Sequence, residues 1–248
     1  MTHRGIAVVL ICISFVYLWP SAAEEASPQD ACDALAAHPL DPQLPEGIKG
    51  TAFQDIDAEQ ALEICIIALR QHPFNPRLMF QLGRSFDASR SSVNALKWLK
   101  LASKYGYAQA DVNLGTLYSG GFFVPHDDLE AAKWYRLGAV HNHMVAQYNL
   151  GVMYSNGLGV PLDKGEAEKW YGLAAAQGHA SAQLNLGVLY AQRAGHSEDY
   201  HKSMELFRSA ADQGNVKAKV NLETAALLNT ALEFSEAVWL SDMLQLDR

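Results

Sequence analysis

Ala146-x-x-Asn149-Leu150-Gly151-x-x-Tyr154 decides the architecture, because the pattern does not occur only once. It stands 36 residues upstream as Ala110-x-x-Asn113-Leu114-Gly115-x-x-Tyr118, and 36 downstream as Ala182-x-x-Asn185-Leu186-Gly187-x-x-Tyr190. A second block keeps the same register. Ala131, Trp134, Tyr135 and Ala139 map onto Ala167, Trp170, Tyr171 and Ala175, and again onto Ser203, Leu206, Phe207 and Ala211. Gln177-Gly178 maps onto Gln213-Gly214. Self-similarity at one fixed period marks a repeat array, whose units bury their apolar faces only against their neighbours.

Each unit is predicted to be a helical hairpin. Ala146, Leu150, Gly151 and Tyr154 fall at i, i+4, i+5 and i+8, one packing stripe of a first helix. Gly151 and its equivalents would let a neighbouring helix come close. Asn156-Gly157-Leu158-Gly159, with Pro161 beyond, ends that helix. Asp163 and Glu166 then have the spacing of a capping box, as do Asp127 and Glu130 one unit earlier. Asp199 holds the equivalent place in the third unit. The second helix packs Ala167, Trp170, Tyr171 and Ala174 at helical spacing, and Gly178 closes it.

These residues carry a resemblance to the Sel1-like repeat, a relative of the tetratricopeptide repeat. It is strongest over 146–181, good over 110–145 and weaker over 182–217, where Ala194-Gly195-His196 replaces the Gly-x-Gly-Val turn. A further first helix begins at Ala218-x-x-Asn221-Leu222, with Glu223 in place of the glycine and Ala226 in place of the tyrosine. Residues 218–248 thus suit a partial repeat and terminal cap, with Phe234, Trp239 and Leu240 on a final helix. Upstream, Ala95 and Trp98 keep the 36-residue step, but Leu82-Gly83 lies only 32 before Leu114-Gly115. Ala61-Leu62 and Ala68 stand 34 before Ala95-Leu96 and Ala102, the tetratricopeptide period. The expected fold is an all-α solenoid with a tetratricopeptide-like start over 57–109, three Sel1-like units and a C-terminal cap.

Outside the array, the opening segment has the layout of a secretory leader. One positive charge at Arg4 precedes an uncharged run from Gly5 to Trp19, and small residues Ser21 and Ala23 precede Glu24. The run is short for a spanning helix, which needs about 20 apolar residues, so cleavage after Ala23 is expected rather than a retained anchor. Ile11 before Cys12 does not fit a lipoprotein signal. The mature chain is therefore expected in the periplasm or secreted, with no stable membrane anchor. A proline-containing stretch, 24–56, joins the leader to the array.

Composition narrows the partners. The 248 residues are 49% hydrophobic and 19% charged, too apolar for a disordered chain. The formal charge is −8, and losing the leader removes only Arg4, so nothing favours nucleic acid or anionic lipid. With the leader gone, Cys32 and Cys65 remain as an even pair in an oxidising compartment, and a disulfide is expected. It would tie the stretch from Asp30 to Thr51, taken as loose, to the helix capped by Asp57 and Gln60. The alternative is two buried thiols, which titration of the unreduced protein separates.

Few residues suggest chemistry. The phosphate-loop, zinc-protease and serine-nucleophile motifs are missing from the sequence. His141 and His143 resemble a metal pair, yet they align with the turn Gln177-Gly178-His179. His196, Glu198, Asp199 and His201 cluster in the divergent turn, where Asp199 is already explained as a cap. Trp98, Trp134 and Trp170 are expected between hairpins. No cofactor, metal or catalytic residue is assigned.

One series invites a binding role. Asn113, Asn149, Asn185 and Asn221 recur every 36 residues, although asparagine is a poor helix-interior residue. In a stacked solenoid the first helices line the concave face, so these amides would form a ladder able to pair with a peptide backbone. Equally, each amide could bond a neighbouring helix and serve stacking, the role that the family pattern favours. The resemblance implies a non-enzymatic adaptor that binds a protein or extended peptide in the envelope. Exported bacterial members include a regulator of exopolysaccharide synthesis. The rival is a penicillin-binding, weakly β-lactamase-active hydrolase of the cysteine-rich Sel1-like type. Those carry a disulfide per repeat, whereas 110–217 contains no cysteine.

Overall fold

The computed structural model describes residues 26–39, 41–121, 124–193 and 197–224, and among them there is no strand. The leader at 1–23 and Phe234, Trp239 and Leu240 lie outside the described residues. Helices α1 (Pro28–Ala36), α2 (Ala58–Gln71), α3 (Pro76–Ala88) and α4 (Ser92–Lys104) come first. They are followed by α5 (Ala108–Gly120), α6 (Asp128–Val140), α7 (Met144–Asn156) and α8 (Lys164–Ala176). The array continues through α9 (Ala180–Gln192), α10 (Ser197–Asp212) and a helix α11 over 216–224. Each helix from α1 to α10 packs on its neighbours within that run, and α1 also meets α3 as α5 meets α7. The protein is an all-α solenoid of helical hairpins.

The hairpin boundaries have a simple cause. α5, α7 and α9 begin two residues before the expected starts at 110, 146 and 182. Each follows a residue in the left-handed region, namely Gly106, Asn142 and Gly178. At Asn142 the side chain tolerates a φ of 61°, which few residues other than glycine adopt readily. The first-helix glycines make room for a ring. A Cβ on Gly115 would lie 2.5 Å from the Tyr135 ring, one on Gly151 2.6 Å from Tyr171, and one on Gly187 2.7 Å from Phe207. The close approach is thus within each hairpin, between its own two helices.

The second helices start differently from the expected capping box. Asp163 Oδ1 accepts from the Glu166 backbone amide at 3.0 Å, but the Glu166 carboxylate turns away to the Trp170 indole at 2.9 Å. The Asp163 amide instead donates to the Tyr154 carbonyl, and Asp127 does the same to Tyr118. That backbone bond ties the cap to the end of the first helix, so the reciprocal glutamate contact is not needed. Asp199 is no cap at all; it lies in the first turn inside α10.

Another correction concerns the N-terminal stretch. The stretch from Asp30 to Thr51 is not loose: α1 forms one helix of a hairpin with α2. The Cys32–Cys65 disulfide joins them, with both cysteines fully buried. Residues 37–39 and 41–51 then form a strap closed at its base, where Thr51 donates its amide to the Ala37 carbonyl and its hydroxyl to Ala34. Buried pairs in α1, α3 and the strap replace the apolar contacts that the sequence pattern lacks there.

Cations top the first-helix tyrosines along one edge. Lys100 lies over Tyr118 and Arg136 over Tyr154, each 36 residues on. The next position is Gly172, and Tyr190 is served by Arg193 and Lys202 instead. A Cβ at Gly172 would meet nothing within 4 Å, in the interior of α8. Gly172→Ala is therefore expected to stabilise by about 0.5–1 kcal/mol, a rise of roughly 2–3 °C in calorimetry. A lower melting temperature would contradict this.

Candidate functional site

Two clefts open between successive units on the side of the first helices. The first, about 360 Å³, lies between Ser119, His126 and Tyr135 on one wall and Asn149, Val152 and Met153 on the other. The second, about 470 Å³, sets Tyr148, Ser155 and Tyr171 against Asn185, Val188 and Gln192. They correspond position by position at the 36-residue step, since Asn149 and Asn185, Tyr135 and Tyr171, and Ser119 and Ser155 are equivalent. This is a repeated site.

The asparagines take mixed roles within it. All four, Asn113, Asn149, Asn185 and Asn221, are half-buried on first helices. Asn149 and Asn185 line the two clefts, whereas Asn113 accepts from Gln109 within its own helix at 3.2 Å. Burial pushes the Tyr171 phenol up, while hydrogen bonds from Asn185 and Ser155 pull it back. Asn185 therefore serves stacking and still borders open space. Tyr135 holds the same place through Thr116 at 3.2 Å and Ser119 at 3.3 Å. His126 closes the first cleft, bridging the Ser119 carbonyl at 2.8 Å and Asp128 at 3.2 Å. With an acceptor on each ring nitrogen, it holds the turn.

His141 and His143 face different partners. His143 Nε2 lies 2.9 Å from Gln109, and burial lowers its pKa. His141 faces Asp111 instead, at 3.6 Å. Of the divergent cluster, His196 lies outside the described residues, Glu198 pairs with Lys202, and no metal-holding group occurs among the described residues. Trp98 and Trp134 are half-buried in the first core cluster, and Trp170 belongs to the next.

A set of inter-unit clamps went unnoticed in the sequence. Buried Gln147 donates to the Ala139 carbonyl of the preceding unit at 3.3 Å and accepts from Gln177 at 2.6 Å. Buried Gln183 repeats this with Ala175 at 3.3 Å and Gln213 at 2.8 Å. The 36-residue recurrence of both glutamines was the available signal. One unit earlier the same two places hold Asp111 and His141. Asp111 is fully buried, and neither carboxylate oxygen has a partner at ordinary hydrogen-bond geometry, with His141 Nδ1 3.6 Å away. Burial pushes it up to about 6, opposed by Ser103 and His141.

That substitution has a pH signature. A carboxyl raised in the folded state binds more protons there than when unfolded, so its cost is full above pH 6 and vanishes below about 4. Asp111→Gln with His141→Gln should install the amide clamp and stabilise the array by about 1–3 kcal/mol at pH 7.5. The gain should shrink towards pH 4 in thermal melts. An equal gain at both pH values would reject the carboxyl as its source.

The comparisons agree with this architecture. The family model described as Sel1 repeat matches residues 78–107, 108–143, 145–179 and 180–215. It thereby includes the α3–α4 hairpin, one unit before the three that the sequence pattern singles out. Two solved structures are similar. A protective antigen of uropathogenic Escherichia coli strains with an SLR fold is 27% identical, covering 68% of this chain and 36% of that one, with a TM-score of 0.62. A Sel1 repeat protein from Oxalobacter formigenes is 29% identical, covering 66% of this chain and 68% of that one, at 0.58. The chain thus spans little more than a third of the first of these. No curated protein sequence matches it. Arrays of this type are scaffolds for protein–protein interaction. With four matched repeats filling over half its length, the chain belongs to the Sel1 repeat family.

Proposed function

We propose that the chain is an exported, periplasmic, non-enzymatic scaffold that binds an extended peptide or a protein partner along its concave first-helix face. The observation that carries the reading is the recurrence of one cleft at a 36-residue step, each with an asparagine amide and a tyrosine on its walls. Evenly spaced donor–acceptor groups suit a ligand that is itself periodic, which an extended backbone is. The uncharged run from Gly5 to Trp19 with small residues behind it supports export. The roles open to such a scaffold are control of envelope signalling or of exopolysaccharide synthesis, and envelope assembly.

Crosslinking in the native envelope, followed by affinity capture, tests both parts. Wild type should retain an envelope protein that Asn149→Ala with Asn185→Ala holds about tenfold less well, a loss of about 1.4 kcal/mol. Equal retention by the variant would remove the ladder. Recovery of the chain from the cytoplasm alone would remove export.

A further inference from the structure

We infer that the strap of residues 37–39 and 41–51 is a ligand built into the chain, occupying on α3 the position that a partner peptide takes on the later first helices. The inference rests on the peptide-binding reading above and names the chemistry of the peptide: proline-bearing, folded in successive turns and presenting an aspartate carboxylate.

Register identifies the position. Gln81 stands 32 residues before Asn113, as Leu82-Gly83 stands before Leu114-Gly115, so Gln81 is the α3 member of the asparagine series. By the same step Arg84 corresponds to Thr116, Val152 and Val188, and the two valines line the open clefts. On α3 the cleft is filled. Gln81 is 0% and Arg84 2% exposed: α1 covers Gln81 through Asp33, and α1 together with the strap covers Arg84.

The contacts are those a peptide-binding face would make. Arg84 donates to the strap carbonyl of Thr51 at 3.1 Å and Arg77 to that of Gln43 at 3.1 Å, while Arg84 also meets the Ala36 carbonyl at the end of α1 at 2.7 Å. Tyr107, just before α5, donates its hydroxyl to the Asp41 carboxylate. Backbone carbonyls and a side-chain carboxylate are thus received by donors on the first-helix side. Pro39, Pro42 and Pro45 keep the segment from continuing as helix. Where the linkers between the helices of later hairpins are short, this one runs from 37 to 57 and folds back over the face.

Occupation in cis has a consequence for the partner. It enters from α5 onward, and releasing the strap adds one more unit to its site. The test uses the full mature chain with the disulfide intact and a fluorescent synthetic peptide of residues 37–51 as probe. Asp41→Ala with Thr51→Ala loosens the strap without touching α3. Anisotropy titration should show the probe binding at least tenfold more tightly to this variant than to wild type. Adding Arg77→Ala should abolish the gain. A variant that keeps wild-type circular dichroism yet shows no gain overturns the inference. So does one that loses helicity, because the strap would then be a structural part of the hairpin. Adding Asn149→Ala and Asn185→Ala to the loosened variant separates the two proposals: a persisting gain keeps the strap as ligand and discards the downstream ladder.

Discussion

Gly159→Ala is expected to cost about 3–4 kcal/mol and to lower the melting temperature by roughly 10 °C. Gly159 sits in the turn between α7 and α8 at a φ of 62°, where a side chain costs about 1–2 kcal/mol by itself. The larger part is steric. A Cβ there would lie 2.1 Å from the Asp128 carbonyl oxygen and 2.6 Å from the Leu129 nitrogen, both main-chain atoms at the start of α6. Backbone cannot turn aside as the end of a side chain can, so the two units must separate. In an array stabilised by nearest-neighbour interfaces, that loss uncouples the helices up to α6 from those beginning at α7. Calorimetry should show the single transition broaden or split. Gly178→Ala is the control: φ is 89° but a Cβ meets nothing within 4 Å, so about 1 kcal/mol and one transition are expected. One transition within 2 °C of wild type in Gly159→Ala would refute the steric account.

Gly159 also marks what a repeat pattern reveals. The turn glycines were legible because Asn156-Gly157-Leu158-Gly159 ends a helical stripe. That Gly159 touches another unit was not, since such contacts are set by stacking distance and leave no period in one chain. The asparagines show the same divide. Their 36-residue step put them on one face of successive helices, yet Asn185 also answers to a tyrosine, and Asn113 to its own helix. The capping glutamates failed because a backbone bond from Asp163 to Tyr154 had already satisfied the donor that Glu166 would have served. Local pattern rules assume a helix end in isolation, whereas here the neighbouring helix supplies the partner.

The N-terminal hairpin lay furthest from the sequence reading. Its helix α1 repeats nothing, and three prolines come after it, so 24–56 looked like tether. What orders it is polar and covalent. Asp33, fully buried, is held by Arg77 at 3.0 Å and by Gln81, although burial still raises its pKa. Arg84 remains charged in the interior with burial pulling it down to about 10. Such residue types do not recur at the repeat step, and only the folded chain shows them paired.

Those buried ions make the disulfide the main tie at this end of the array. Cys32 and Cys65 are 33 residues apart, and closing a loop of that size stabilises by about 3–4 kcal/mol in the chain-entropy model. A raised carboxyl such as Asp33 costs stability at neutral pH, so α1 gains less from its polar contacts than their number suggests. Cys32→Ala with Cys65→Ala should therefore lower the melting temperature by roughly 10 °C. The loss should begin at the severed tie: hydrogen exchange should rise first in α1 and α2, with α7 and α8 protected until the global transition, because the bond removed joins α1 to α2 and stability in the array passes between neighbours. In unreduced wild type prepared without residues 1–23 no thiol should react. A double variant that melts with wild type, or exchanges first in α8, would show that packing of α1 on α2 and α3 holds the cap without the covalent bond.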